Sequence, residues 1–338
     1  MVDLLYSARS LVAKGKGILA ADESQKTADE KRLAPYGIPT GPEWHQKFRD
    51  LYLDAPGIEK YLTGVILYEE TLDQKSTSGV PFADLLTSKG IVPGIKVDGG
   101  LDPFPDSKGE TITKGLLDLP ERLTNFHEKY GTGFTKWRAA ITIEGDRLPT
   151  ANAIHENAKR LAMYASEVQK VGMVPMVEPE VLLDGNHSRL RAREVITKVM
   201  HDLVACMEDQ AVDLTGVIIK TSMAVSGSTS GHKDTPEEVA EDTLGALMES
   251  VPASIPGIVF LSGGQSPDEA TDNLRAIAKL AKEANGGKGA PWPLTFSFAR
   301  ALQQEALEVW KGKDENIPAA REAFIARLEK VSKASLGE

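Results

Sequence analysis

The lysines that sit in or close apolar runs are the residues best placed to do covalent chemistry in this chain. Lys220 comes at the end of "GVIIK", followed by "TSM"; Lys96 lies in "GIKVD"; Lys136 lies in "TKWRA", with Arg138 two positions on. An amine desolvated among apolar neighbours, or set beside other cations, loses its charged form more readily and becomes a nucleophile that makes Schiff bases with carbonyls. Three such lysines delivered to one place would raise each other's deprotonated fraction. Acidic groups close other runs: Asp22 in "GILAADES", and Glu178 with Glu180 in "VEPE". Taken singly, each of these reads as the solvated start of a loop; taken together, they ask for elements that make them converge.

Those elements are legible. Short β-branched, apolar runs recur at 17–22, 62–70, 91–98, 133–141, 173–180, 216–223, 257–264 and 293–300. Between them lie segments of helical period, such as Ile154, Ala158, Leu161, Ala165, Val168, then Val195, Val199, Leu203, Cys206, then Leu274, Ile277, Ala278, Ala281. Near-continuous apolar strands joined by amphipathic helices imply parallel pairing with both faces covered. Eight such units predict a (β/α)₈ barrel of ~250 residues, and the surplus fits terminal helices and long loops. An open doubly wound sheet would show a glycine-rich turn after an early strand, whereas "ESQKTADEKR" follows the first run with no glycine. The long non-periodic stretch 98–120, rich in Gly, Pro and Asp, is of a length that signals function. No composition break divides the chain, so one domain over 1–338 is expected.

In a barrel, the active site forms at the carboxyl ends of the strands, and the loops after strands seven and eight commonly hold a phosphate. Here they offer the Ser262 hydroxyl, backbone N–H groups at Gly263 and Gly264, and Arg300 near a helix start. Composition narrows the class further. The 338 residues are 41% hydrophobic and 26% charged, an ordinary globular mixture, and a net charge of −10 argues against a nucleic-acid surface. A single cysteine, Cys206, rules out a disulfide framework and a multi-thiolate zinc site, and points to a reducing, cytoplasmic setting. No apolar stretch approaches the ~20 residues of a membrane span, and "MVDLLYSARSLVAKG" reads as an amphipathic helix. His127, His155, His187, His201 and His232 show no paired ligand spacing, so no metal site is expected.

In order and spacing, "GILAADES", "GIKVD", "TKWRA", "VEPE", "PGIVFLSGGQS" and "FSFARALQ" resemble the motifs of the class I, metal-independent fructose-1,6-bisphosphate aldolases, from about Lys14 to about Gln303. The resemblance implies a (β/α)₈ barrel, usually a homotetramer, that cleaves the hexose bisphosphate reversibly to dihydroxyacetone phosphate and glyceraldehyde 3-phosphate. It implies that Lys220 forms the Schiff base and that no cofactor is needed, because the iminium is the electron sink. Glu178 is implied as the acid and base for the carbinolamine, with Glu180 an orienting neighbour. Asp22 is implied as the base for the C4 hydroxyl, and Lys136 as the cation that keeps Lys220 deprotonated. One phosphate would be held by Ser262, Gly263, Gly264, Ser297 and Arg300, the other by Lys31, Arg32 and Lys96, with Arg138 among the substrate contacts.

Departures from the family pattern stand beside the matches. The usual K-P-N-M is Lys220, Thr221, Ser222, Met223, and the usual F-S-Y-G-R has Phe298 and Ala299, which sets a Cβ where backbone approaches phosphate. The loop before Lys31 and Arg32 carries one extra residue. The last tyrosine is Tyr164, so no tail tyrosine can protonate the enamine, and the final few residues are expected to be free. Two other readings remain open: a related Schiff-base aldolase for sedoheptulose 1,7-bisphosphate, and a non-catalytic scaffold on the same fold.

Overall fold

The strand period of two sorts each apolar run into an inner and an outer row, and the two rows meet different partners. A computed structural model describes residues 3–338. The barrel strands are Gly17–Ala21, Leu62–Leu67, Val92–Lys96, Phe134–Ile141, Val174–Val181, Ile218–Thr221, Gly257–Phe260 and Leu294–Phe298. They pair in chain order, all parallel, and the last closes on the first. Leu19, Val65, Trp137, Val177, Ile219, Ile258 and Phe296 face outward into the helical layer. Ile18, Ala20, Ile66, Phe134, Val174, Met176, Ile218 and Val259 fill the lower interior. Continuing along that inner row, the same strands turn polar: Phe134 leads to Lys136 and Arg138, Met176 to Glu178 and Glu180, Ile218 to Lys220. The barrel thus has an apolar floor and a charged mouth.

The floor is closed from below by the helix Leu4–Leu11, whose Ala8 and Leu11, with Val12, are buried in the same inner cluster. This is the amphipathic start expected from the sequence; Met1 and Val2 of that stretch lie outside the described residues. Space at the floor is tight. A Cβ on Gly64 would sit 2.9 Å from the Phe134 ring, and one on Gly94 would fall well inside it, so these two strands can pass the ring only as glycine. The helices with predicted period are Ala151–Lys170, Arg189–Asp209 and Pro267–Gly287, each burying the stripe named above. Among the described residues, no helix is long and apolar enough to cross a membrane.

The stretch 98–120 differs from a plain loop. Leu101–Pro103 and Thr111–Thr113 form an antiparallel ribbon, fixed to the barrel by Thr113 Oγ1 donating to the Arg138 carbonyl at 2.8 Å. The tail also corrects the expectation of a free end. The helix Ile317–Ser335 buries Ala334 and Ser335. Beyond it, the Leu336 carbonyl accepts from Lys282 Nζ at 2.5 Å and the Glu338 carbonyl from Arg275 Nε at 2.7 Å. Ser332 Oγ donates to the carbonyl of Gly15, just before the first strand, so the tail is docked at the amino end of the barrel, opposite the charged mouth. Deleting Ala334–Glu338 is expected to lower stability by about 1–3 kcal/mol, because buried surface and tethers are lost together. Thermal unfolding checks it, and an unchanged midpoint would show that the tail is only laid on the surface.

Candidate active site

Register brings the polar ends together. Lys96 is level with Lys136, and Arg138 with Glu178, across adjacent strands. Lys220 Nζ lies 3.0 Å from Glu178 Oε1; Glu178 Oε2 lies 2.8 Å from Lys136 Nζ; Lys136 Nζ lies 2.9 Å from Asp22 Oδ2. The result is a line of alternating charge, Lys220, Glu178, Lys136, Asp22, drawn from four strands and almost entirely buried. The Glu178 contacts are ion pairs, and among the described residues its Oε2 has no hydrogen-bond donor. A buried carboxylate so placed is held by charge but is free to accept or give a proton.

The electrostatics follow from that line. Burial alone would push the Asp22 carboxyl up, but Lys136 and then Lys220 outweigh it and hold Asp22 well below the usual carboxylate range. Glu178 is lowered in the same way: burial opposes, and Lys136, Lys220 and Arg138 prevail. Burial disfavours charge on Lys136, yet Asp22 and Glu178 overcome it and raise its pKa well above the ordinary lysine value. Lys136 is therefore a fixed cation. Glu178 stands between it and Lys220, so the two lysines communicate through a carboxylate as well as by direct repulsion.

Around this line opens a cavity of about 1160 Å³ that all the other sequence-derived candidates also line: Lys31, Arg32, Lys96, Arg138, Glu180, Ser262, Gly263, Gly264, Ser297 and Arg300. Gly263 and Gly264 have φ of 50° and 90°, so the turn needs glycine, and it leaves successive N–H groups available at the mouth. Ser297 Oγ is buried with no hydrogen-bond partner among the described residues. Arg300, at the first turn of the helix Arg300–Trp310, donates to the carbonyls of Gly264 at 2.5 Å and Gln265 at 2.8 Å, tying the last two loops together. Ala299 is the N-cap of that helix, with negative φ, and makes no side-chain cap. Thr221 continues the sixth strand, and Ser222 Oγ donates to the Val181 carbonyl at 2.8 Å.

Lys31 and Arg32 sit in a π-helical turn, Asp29–Leu33. Such a turn takes one residue more than an α-turn, and both side chains line the cavity. Arg32 Nε is 3.1 Å from Glu23 Oε1, and Glu23 is held from behind by Arg49 at 2.5 Å. His45, which sequence reasoning passed over, bridges Asp29 at 2.7 Å and Glu70 at 3.0 Å and so pins the π-turn. Asp98 was also missed: it pairs with Lys96 at 2.7 Å and accepts from the Arg138 N–H. Lys114, from the 98–120 stretch whose length was the one signal for it, and Arg122, from the helix Leu119–Tyr130 that follows, add cations to the wall.

Comparison with known proteins gives one answer. The family described as glycolytic fructose-bisphosphate aldolase class-I matches residues 3–338. A cytosolic fructose-bisphosphate aldolase 6 of Arabidopsis thaliana is 45% identical over 99% of this chain and 91% of its own length. A probable class 1 fructose-bisphosphate aldolase of Xanthomonas axonopodis pv. citri is 42% identical over 99% and 98%. The fructose-bisphosphate aldolase of Plasmodium falciparum, solved in a ternary co-crystal with TRAP and a small-molecule inhibitor, superposes with a TM-score of 0.94 at 42% identity, covering 99% of this chain and 94% of that one. With this barrel, this mouth and these relatives, the chain belongs to the class I fructose-bisphosphate aldolase family.

Proposed function

We propose that the chain cleaves fructose 1,6-bisphosphate reversibly to dihydroxyacetone phosphate and glyceraldehyde 3-phosphate, as one barrel domain over 1–338, through an imine on Lys220. The observation that carries this reading is the line Lys220, Glu178, Lys136, Asp22. Lys220 passes a proton to Glu178, 3.0 Å away, as its amine adds to the C2 carbonyl; Glu178 gives that proton to the departing hydroxyl, and water leaves the iminium behind. Asp22, kept ionised by its lysines, takes the C4 hydroxyl proton as the C3–C4 bond breaks, and the bonding pair flows into the iminium. Lys136 stabilises the oxyanion and orients hydroxyls. A proton taken up by Glu178 from water in the open cavity then passes to the enamine carbon. The iminium supplies the electron sink, so no metal enters the reaction. The protein works in the cytoplasm, in glycolysis and gluconeogenesis, as a homo-oligomer, with the tetramer the expected state; its partners are sugar bisphosphates rather than nucleic acid or membrane.

Turnover with fructose 1,6-bisphosphate is expected to survive exhaustive chelation. Loss of activity restored by zinc would overturn the mechanism; no turnover with this sugar, but cleavage of sedoheptulose 1,7-bisphosphate, would move the substrate to seven carbons; and no aldol cleavage of either would leave the scaffold reading. Arg300 gives a second check. Its guanidinium both faces the cavity and anchors the Gly264 turn, so Arg300→Ala should raise the Michaelis constant for the bisphosphate on the order of 30-fold, equivalent to ~2 kcal/mol. The relative loss should be smaller for a substrate lacking that phosphate. Equal losses would make Arg300 purely structural.

A further inference from the structure

We propose that His155, Asp202 and Cys206 form a site for a zinc-class divalent cation on the outer helical layer, separate from the reaction centre. The three side chains come from two neighbouring helices, Ala151–Lys170 and Arg189–Asp209, with Asp202 and Cys206 one turn apart on the second. His155 Nδ1 lies 3.0 Å from Asp202 Oδ1, and Cys206 Sγ lies 3.8 Å from each of those atoms. A tetrahedral zinc ion, with bonds of about 2.0 Å to N and O and about 2.3 Å to S, sets its ligands roughly 3.3–3.6 Å apart, so this triangle needs only sub-ångström adjustment. His155 is 55% exposed, which leaves solvent a path to the fourth position. Thiolate, imidazole and carboxylate together suit zinc or cobalt and not magnesium or calcium.

The surroundings leave the acidic ligand open to a dication. No lysine or arginine pairs with Asp202 among the described residues. In the metal-free state, Asp202 Oδ1 faces both the imidazole nitrogen and the thiol. The ion takes the place of the protons in those contacts: the S–H bond breaks, a sulfur–metal bond forms, the proton goes to solvent, and neutral imidazole donates through Nδ1. The other candidate cluster, His232, Asp234 and Glu238, is already spent, since Asp234 pairs with Arg189 and accepts from the Ser226 N–H, and Glu238 caps its helix. His155 precedes Asp202 by 47 positions and Cys206 by 51, beyond any motif spacing, so no pattern in the sequence marks the site.

Cobalt(II) titrated into the intact protein tests the proposal. Because Cys206 is the sole cysteine, a near-ultraviolet thiolate-to-cobalt band can arise only there. The expected result is that band, one proton released per ion, displacement by zinc, and a higher thermal midpoint in the presence of the ion. Cys206→Ser should abolish the band. His155→Gln, at an exposed position that does not threaten folding, should weaken binding by more than about 100-fold, beyond the loss typical of an outer partner, with aldol turnover unchanged in both. Absence of the band in the unaltered protein, or equal affinity in His155→Gln, would overturn the site.

Discussion

Lys220→Met is expected to lower aldol turnover on the order of 10⁴-fold or more, the scale on which loss of a covalent nucleophile is felt. Methionine matches the length and apolar stem of the lysine inside a strand that is fully buried, so the barrel should stay folded. Glu178 loses one cation but keeps Lys136 at 2.8 Å, which limits the electrostatic cost. Covalent chemistry separates this from a general loss of function. Borohydride reduction in the presence of dihydroxyacetone phosphate should label one peptide in the unaltered protein, the one containing Lys220, and none in the variant. Label on Lys96 or Lys136 would refute the assignment.

Lys136→Met should act on both stability and rate. Lys136 is the cation shared by Asp22 and Glu178, and removing one partner from a buried ion cluster costs about 3–5 kcal/mol, because the remaining charges are left desolvated. The pH dependence gives the sign. In the intact protein, both carboxyls are held below their ordinary values of 3.8 and 4.5, so they contribute stability that is present above those values and is lost as pH falls through the lower, folded ones. Without Lys136, burial, already the largest single influence on both, loses its strongest opponent and shifts them upward. Raised carboxyls oppose folding as pH climbs past their ordinary range, so the deficit of the variant should be greatest near neutrality and shrink toward pH ~5. Denaturant unfolding at the two pH values measures it; an equal deficit at both would show that lost packing, not charge, sets the cost. Turnover should fall as well, since Asp22 loses its hydrogen-bonded partner at 2.9 Å.

What could be read in the sequence was whatever repeats with a fixed period. All eight apolar runs became barrel strands, and their polar ends became one mouth, because in a closed parallel barrel the carboxyl end of each strand has nowhere else to point. Gly263 and Gly264 were legible as a turn, and their positive φ values bear out that local reading. The ribbon within 98–120 was not legible, since its three-residue strands are partly exposed and owe their place to tertiary bonds such as Thr113 to Arg138. The docked tail was hidden for a related reason: Ser, Leu and Gly look mobile until Lys282 and Arg275, more than fifty residues earlier, supply donors. Asp98 and His45 escaped notice because a carboxylate or imidazole that positions a neighbour carries no pattern of its own.

The ring at the barrel floor has a consequence for how related sequences can diverge. Phe134 occupies the volume that side chains at 64 and 94 would need, so the three positions, on three successive strands, behave as a single inherited character. A lineage cannot reach alanine at 94 by one step through a folded ancestor; the ring must shrink first, and a shrunken ring leaves a cavity until the glycines are filled. Intermediates on that path bear the cost of either a clash or a void. Sequences with this floor should therefore hold Gly, Gly and Phe together or replace them together, and a mixed set should be found only where the helix beneath, at Leu11, has changed to absorb the difference.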